Sequence, residues 1–576
     1  MTDMLRITNG RVYDPANGVD GDVRDVIVVD GRIAAALPEG VRKGAVRTID
    51  ARGMIIMPGG VDIHCHIASA SVNRARAMLG EEHATHVHAA KSLPDGPHPS
   101  PLPGGEGVRL RAGTGALTPS TFTTGYRYAA LGYTTAIDAA VSPTGARQTH
   151  MELADTPNLD AAFLLLVGNH AKVLELLDAD DEAGAIAFIG ELLHRTGAYG
   201  IKIVNPGGVA SWRSDATQHT VDSLDMRVAG LKRVTPRRIL QLAAAAAEQL
   251  NLPHAPHVHC NRLGLPGNVE TTLDSLAALD GRRVHLTHLQ FHAYGKGDKD
   301  QITSSATRLT EYLDAHPLVS ADVGQVMFGN AMTLSADTPL EHLLWKLAGK
   351  RATGRYVSIE GEMETGCGLM PIEYSDKHYL HSLQWAIGLE LMLTAKDPWR
   401  MLLSTDHPNG GSFLTYPRII ASLMSRTIRD EQIKSAHPRA MQSCGLKDIT
   451  REMTLGEIAI ITRAGPARVL GMKHKGQLRP GADADITIYD EGLATGGDVQ
   501  AMFESPRYVI KAGRVLVEDG ELRDAADGVR MRSAVEAGEQ GSRHVNEWFD
   551  QHGSYNVSQF GIRDEALRRM RTIEKE

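Results

Sequence analysis

Apolar and polar positions alternate in short runs through LRITNGRVYD, DVIVVDGRIAAAL and AVRTIDARGMIIMPG near the start of the chain. That period of two predicts half-buried strands. Asn9-Gly10 and Asp30-Gly31 separate β-rich runs and read as hairpin turns. The same style returns in GQLRPGADADITIYD and YVIKAGRVLVEDGEL. We expect residues 1–56 and 468–525 to be the two halves of one small composite β-sandwich domain.

Between these halves strand-like and helix-like segments take turns. RVTPRRILQLAAAAAEQLN opens with Thr-Pro, continues with Ala and Leu, and leads into the strand candidate HAPHVHCN. DTPLEHLLWKL again puts Pro in a first turn, and TLGEIAIITRAGPARVLG opens with Thr454 and Glu457 at capping-box spacing. Such alternation over residues 57–467 predicts an α/β fold with a parallel sheet, most simply a (β/α)8 TIM-like barrel with insertions. The Pro/Gly-rich stretch LPDGPHPSPLPGGEG predicts a surface loop, part of an insertion near residues 80–112. Residues 526–576 are charged and mostly helical in pattern, a C-terminal extension with no evident chemistry.

Composition narrows the function. The 576 residues have room for a large barrel and a satellite domain, and 42% of them are hydrophobic. A net charge of −8 leaves no basic excess to neutralise phosphates, which argues against nucleic-acid binding. No uncharged apolar run approaches the ~18–20 residues that cross a bilayer, so no membrane span is expected. The opening MTDMLRITNGRVYD lacks a secretory apolar stretch, and a cytoplasmic location is the expectation. The four cysteines form no CxxC pair, which argues against a disulfide framework or an iron–sulfur cluster.

The stretch GGVDIHCHIAS does not read as ordinary core. His64 and His66 alternate along a strand and project from one face, as paired metal ligands would. Functional residues of barrels sit at the C-terminal ends of strands. Further candidates there are His259 in HAPHVHCN, His288 in RRVHLTHLQFHAYG and Asp406 in WRMLLSTDHPNGG. Lys202 lies inside the apolar run of YGIKIVNPGG with no partner in sequence. Each has an ordinary reading: a hydrogen-bonded core histidine, a snorkelling lysine, a turn-starting aspartate. His257 reads as structural, one layer deeper, and His285 as having the wrong parity to accompany His288. The whole set in one order, each member at a strand end, is far more specific than any member.

That order resembles the amidohydrolase superfamily, over nearly the whole chain. The resemblance implies two divalent metal ions: His64, His66 and Asp406 on one, His259 and His288 on the other. Lys202 would bridge them as a carbamate formed with carbon dioxide, and Asp406 would also act as general base and then general acid. The histidine-rich set suits zinc, although related sites accept manganese, iron or cobalt. Asn261, Gln290, His292 and His407 lie near the same strand ends and are candidates for orienting substrate.

Narrower stretches, GIKIVNPGG, HVHCNRLGLPGN, HLTHLQFHAYG, VSIEGEMETGCG and LLSTDHPNGGSF, resemble the A subunits of formylmethanofuran dehydrogenases and of formyltransferase/hydrolase complexes. This implies a formylated methanofuran-type coenzyme as substrate, formate and the free amine as products, and other subunits as partners. The Ala/Arg/Gly-rich composition favours the formyltransferase/hydrolase version. Arg74, Arg76, Arg213, Lys232 and Arg233 are candidates for receiving the coenzyme's acidic tail. A cyclic amidohydrolase of the dihydroorotase or hydantoinase kind, or a non-catalytic scaffold protein, remains the alternative. Against the first stand the narrower motifs and the extra length between His288 and Asp406; against the second, a complete ligand set.

Overall fold

The computed structural model describes residues 4–41, 44, 46–78, 117–214, 221–279, 281–347, 368–553 and 555–575. The expected loop near residues 80–112 and most of VSIEGEMETGCG lie outside them.

Eight parallel strands form the barrel: β1 (Gly60–Cys65), β2 (Tyr133–Val141), β3 (Asp160–Leu166), β4 (Gly200–Val204), β5 (His257–His259), β6 (Val284–Leu286), β7 (Val319–Asp322) and β8 (Met401–Leu402). They pair in sequence order, and a bridge between Cys65 and His407 joins the two edges. β2, β3 and β4 are almost wholly buried, as expected for strands covered on both faces. The helices start where the sequence signals them. Pro236–Gln249 is capped by the Thr235 hydroxyl, which accepts from Arg238 N, a contact worth about 1 kcal/mol. Thr454 and Glu457 form both bonds of the capping box.

Strands from the two chain ends form one nine-stranded sheet, joined where Met54–Pro58 runs antiparallel to Ile486–Asp490. This sheet folds around its own apolar core, including Ile7, Val28, Ile56, Ile486 and Ile510. Asp30-Gly31 makes the expected turn, with both residues at positive φ. Asn9-Gly10 does not. It lies inside the strand Met4–Asp14 as a bulge, where Asn9 is left-handed and the register shifts. A Cβ at position 10 would press on the Ile56 side chain, so a larger residue there would force Ile56 to shift.

The extension beyond residue 526 is structural. Met531–Ser533 pairs with Arg571–Ile573, and the helix Glu539–His552 packs on the helix Glu182–Thr196. A buried charge cluster ties three regions together at the start of β3. Lys475 Nζ contacts Asp160, Asp483 (2.7 Å) and Asp485 (2.6 Å), and Arg571 reaches Asp483.

Most of the extra length between His288 and Asp406 follows β7. It holds the hairpin Gly329–Ser335/Gly368–Tyr374 and the helix Thr338–Leu347. Residues of all three elements line the cavity at the barrel mouth.

Candidate metal centre and substrate cavity

His64 lies in β1 and His66 just beyond it, and Asp406 follows β8 across the joining seam. The backbone holds this seam closed: His66 N donates to His407 O at 2.7 Å. Asp138, on β2, accepts from the backbone N–H groups of Ile67, Ala68 and Ser69, fixing the turn after the two histidines. Asp406 takes a left-handed φ of 49°. As a result Asp406 Oδ1 lies 3.0 Å from His64 Nε2 and 3.1 Å from His66 Nε2. Asn409 Nδ2 donates to the same oxygen at 2.9 Å.

Lys202 pairs in register with His257, a level below His259. Its four-carbon stem nevertheless brings it into the cavity wall with His64, His66, His259, His288 and Asp406. Its buried Nζ has no hydrogen-bond partner among the described residues. Burial pulls its pKa down to about 8, opposed by the charges of Asp406 and Asp322. The rings of His259 and His288 stand 4.7 Å apart, and His288 lies 5.5 Å from His64. Burial pushes both His259 and His288 towards the neutral form that binds metals. Burial also opposes charge on His64, but Asp406 and Asp322 more than offset it and raise its pKa. Asp406 is held well below the usual carboxylate range: burial would raise it, but His64 and His66 win.

Beneath this layer lies a second polar layer, centred on Asp322 at the end of β7. Asp322 Oδ2 lies 3.3 Å from His64 Nδ1 and 3.1 Å from His285 Nε2. Its Oδ1 accepts from Ser404 and from His288 N. His254, His257 and His64 continue a chain of ring contacts at 3.1 and 3.2 Å. His257 thus sits one layer down, as expected. His285 does not turn away from His288, as strict alternation predicts: both point into the barrel. His288 has φ 38°, and that left-handed residue resets the alternation.

The cavity above measures about 220 Å³. Its outer wall is apolar, with Leu263, Phe291, Leu334, Leu340, Leu344 and Ile372 among its residues. None of Asn261, Gln290, His292 and His407 is among the residues lining it. Asn261 donates instead to Asn205 and Pro206 O, and His407 Nδ1 accepts from Phe413 N. His292 stacks on His288 from behind, and Gln290 is fully buried. Thr333, Ser335, Gln384, His381 and Asn409 supply polar groups to the cavity instead. The suggested basic residues do not line it either. Arg76 pairs with Glu152, Arg233 with Asp180, and Arg213 donates to Asn169 O.

The donors suit a metal. His64, His66 and Asp406 offer three ligand atoms within 4.8 Å of one another. The 3.0 and 3.1 Å separations resemble the edge of a tetrahedron with bonds of about 2.0 Å. Asp322 behind His64 completes the carboxylate–histidine–metal arrangement that orients such ligands. A second acidic group, Asp160, Asp483 and Asp485, is already paired with Lys475, Lys511, Arg32 and Arg571.

A parallel barrel with these donors at one mouth has the architecture of a metal-dependent hydrolase. The model of the Amidohydrolase family matches residues 47–517, and the chain belongs to that family. It is 38% identical to Protein FwdA of Methanocaldococcus jannaschii, over 98% of each chain. It is 36% identical to the A subunit of the Formyltransferase/hydrolase complex Fhc of Methylorubrum extorquens, covering 98% of this chain and 97% of that protein. Among solved structures it resembles the formyltransferase/hydrolase complex FhcABCD from Methylorubrum extorquens, crystallised with methylofuran. That match has a TM-score of 0.87 and 34% identity, covering 99% of this chain and 100% of the other. No helix among the described residues is long and apolar enough to cross a membrane.

Proposed function

We propose that this chain hydrolyses an N-formyl amine of the formylmethanofuran or formyl-methylofuran type to formate and the free amine, reversibly, as the A subunit of a multisubunit one-carbon complex. The observation that carries this reading is the match over 99% of the chain to a complex crystallised with methylofuran.

His64, His66 and Asp406 would hold one divalent ion and His259 and His288 the other, with zinc the favoured metal. Lys202 would bridge as its carbamate. An unmodified ammonium would repel both ions, whereas the neutral amine favoured by burial can add to carbon dioxide. Such ions, when bound, polarise a carbonyl and make water acidic enough to attack near neutral pH.

The remaining steps belong to the protein. Asp406, whose Oδ1 lies against both imidazoles and accepts from Asn409, takes the proton from the attacking water. It then returns that proton to the departing nitrogen as the formyl C–N bond breaks. Asn409 and the two histidines keep its Oδ1 aimed at the cavity. Asp322 fixes the orientation of His64. The aliphatic wall from Leu263 to Ile372 excludes water from the reacting end and receives the body of the amine.

A substrate panel tests the assignment. The purified complex, offered N-formylfurfurylamine, dihydroorotate and hydantoin, should release formate from the first and leave both cyclic amides intact. Opening of a cyclic amide without formate release would keep the family and discard this function.

A further inference from the structure

His259 has a neighbour that no motif announces. Asp337, buried at 2% exposure, lies in the extra segment after β7, immediately before the helix Thr338–Leu347. Its Oδ1 is taken: it accepts from Asn205 Nδ2 at 2.8 Å and from Leu340 N at 3.3 Å. Its Oδ2 lies 3.3 Å from His259 Nε2, an ion-pair contact without full hydrogen-bond alignment. Asn205, at the end of β4, is itself held by Asn261 Nδ2 at 2.8 Å. One carboxylate therefore meets a candidate metal ligand, the end of β4, and the helix whose Leu340, Leu343 and Leu344 line the cavity.

We propose that Asp337 is the positioning residue for the His259 side of the centre, an inference that rests on the two-ion reading above. A carboxylate this close to Nε2 favours the tautomer protonated there by its charge, which leaves Nδ1 as the nitrogen with a free lone pair. It also makes the imidazole a stronger donor. Because Asp337 sits at the start of the wall helix, the segment that shapes the substrate cavity also completes one metal subsite. A different carboxylate, Asp322, stands behind His64, so loss of Asp337 should leave the first subsite in place.

Asp337→Asn and Asp337→Ser separate this role from simple capping, because both residues cap helices well yet carry no charge towards Nε2. The measurement is metal content of the intact complex after dialysis, with a chelator titration. Two ions are expected in the wild type. In both variants one of them should bind about 10–100-fold more weakly, with the thermal midpoint of the metal-free complex nearly unchanged. Leu343→Ala, which loosens the wall only, should keep both ions. Two tightly held ions in the Asp337 variants would overturn the proposal alone. Loss of an ion in Leu343→Ala as well would assign the effect to the wall and overturn it too. Fewer than two ions in the wild type would instead sink the two-ion reading beneath it.

Discussion

His66 Nε2 lies 3.1 Å from Asp406 Oδ1, although 340 residues separate them. The contact spans the seam where β1 and β8 meet, so the barrel's closure and the assembly of its candidate centre are one event. Asp406→Asn should therefore lower formate release by at least the roughly 10²–10⁴-fold typical of a lost general base, with the barrel intact by circular dichroism. Unchanged turnover would remove Asp406 from the chemistry.

Lys202→Ala should lose the bridged pair of ions and activity together, because no other described side chain reaches the cavity from β4 with a group that could bridge. Metal analysis beside the formate assay checks this. Full metal content with full turnover in the variant would make the carbamate role wrong.

Asp322 carries a stability prediction as well as a metal one. It is buried and accepts from His285, Ser404 and His288 N while touching His64. Removing one partner from such a buried network costs about 3–5 kcal/mol. Asp322→Ala should lower the denaturant midpoint accordingly, a larger loss than Asp337→Asn produces.

Much of this is legible in the sequence, for definite reasons. His64 and His66 stand out because strand alternation puts two imidazoles on one face of a wholly buried strand. Lys202 stands out as a charge within Ile201 to Val204. Asp322 and Asp337 do not: their partners come from strands and helices far away in sequence. Asn9-Gly10 cannot be told from a hairpin, since a bulge and a turn use the same left-handed residue. The left-handed backbone at His288 hides the role of His285 in the same way. Asn261, Gln290 and His292 are placed near the mouth by parity and His407 by its position beside Asp406, and neither can distinguish the cavity side of a strand-end loop from the side behind it.

Asp483 carries the acid-side prediction. Burial raises its pKa, but Lys475 and Arg571 more than offset this and leave it lowered. A depressed folded pKa gives stability that is complete above the unfolded value of about 3.9 and is lost as pH falls through the folded pKa. Asp483→Asn should flatten the stability curve below about pH 4. A curve of unchanged slope would show that the cluster does not couple to protonation.

The most direct test of the central claim is formate release from N-formylmethanofuran by the metal-loaded complex, run beside its Asp406→Asn variant. One formate per free amine is expected from the wild type and none above background from the variant. Equal release from both, or none from a fully metal-loaded wild type, would contradict the claim.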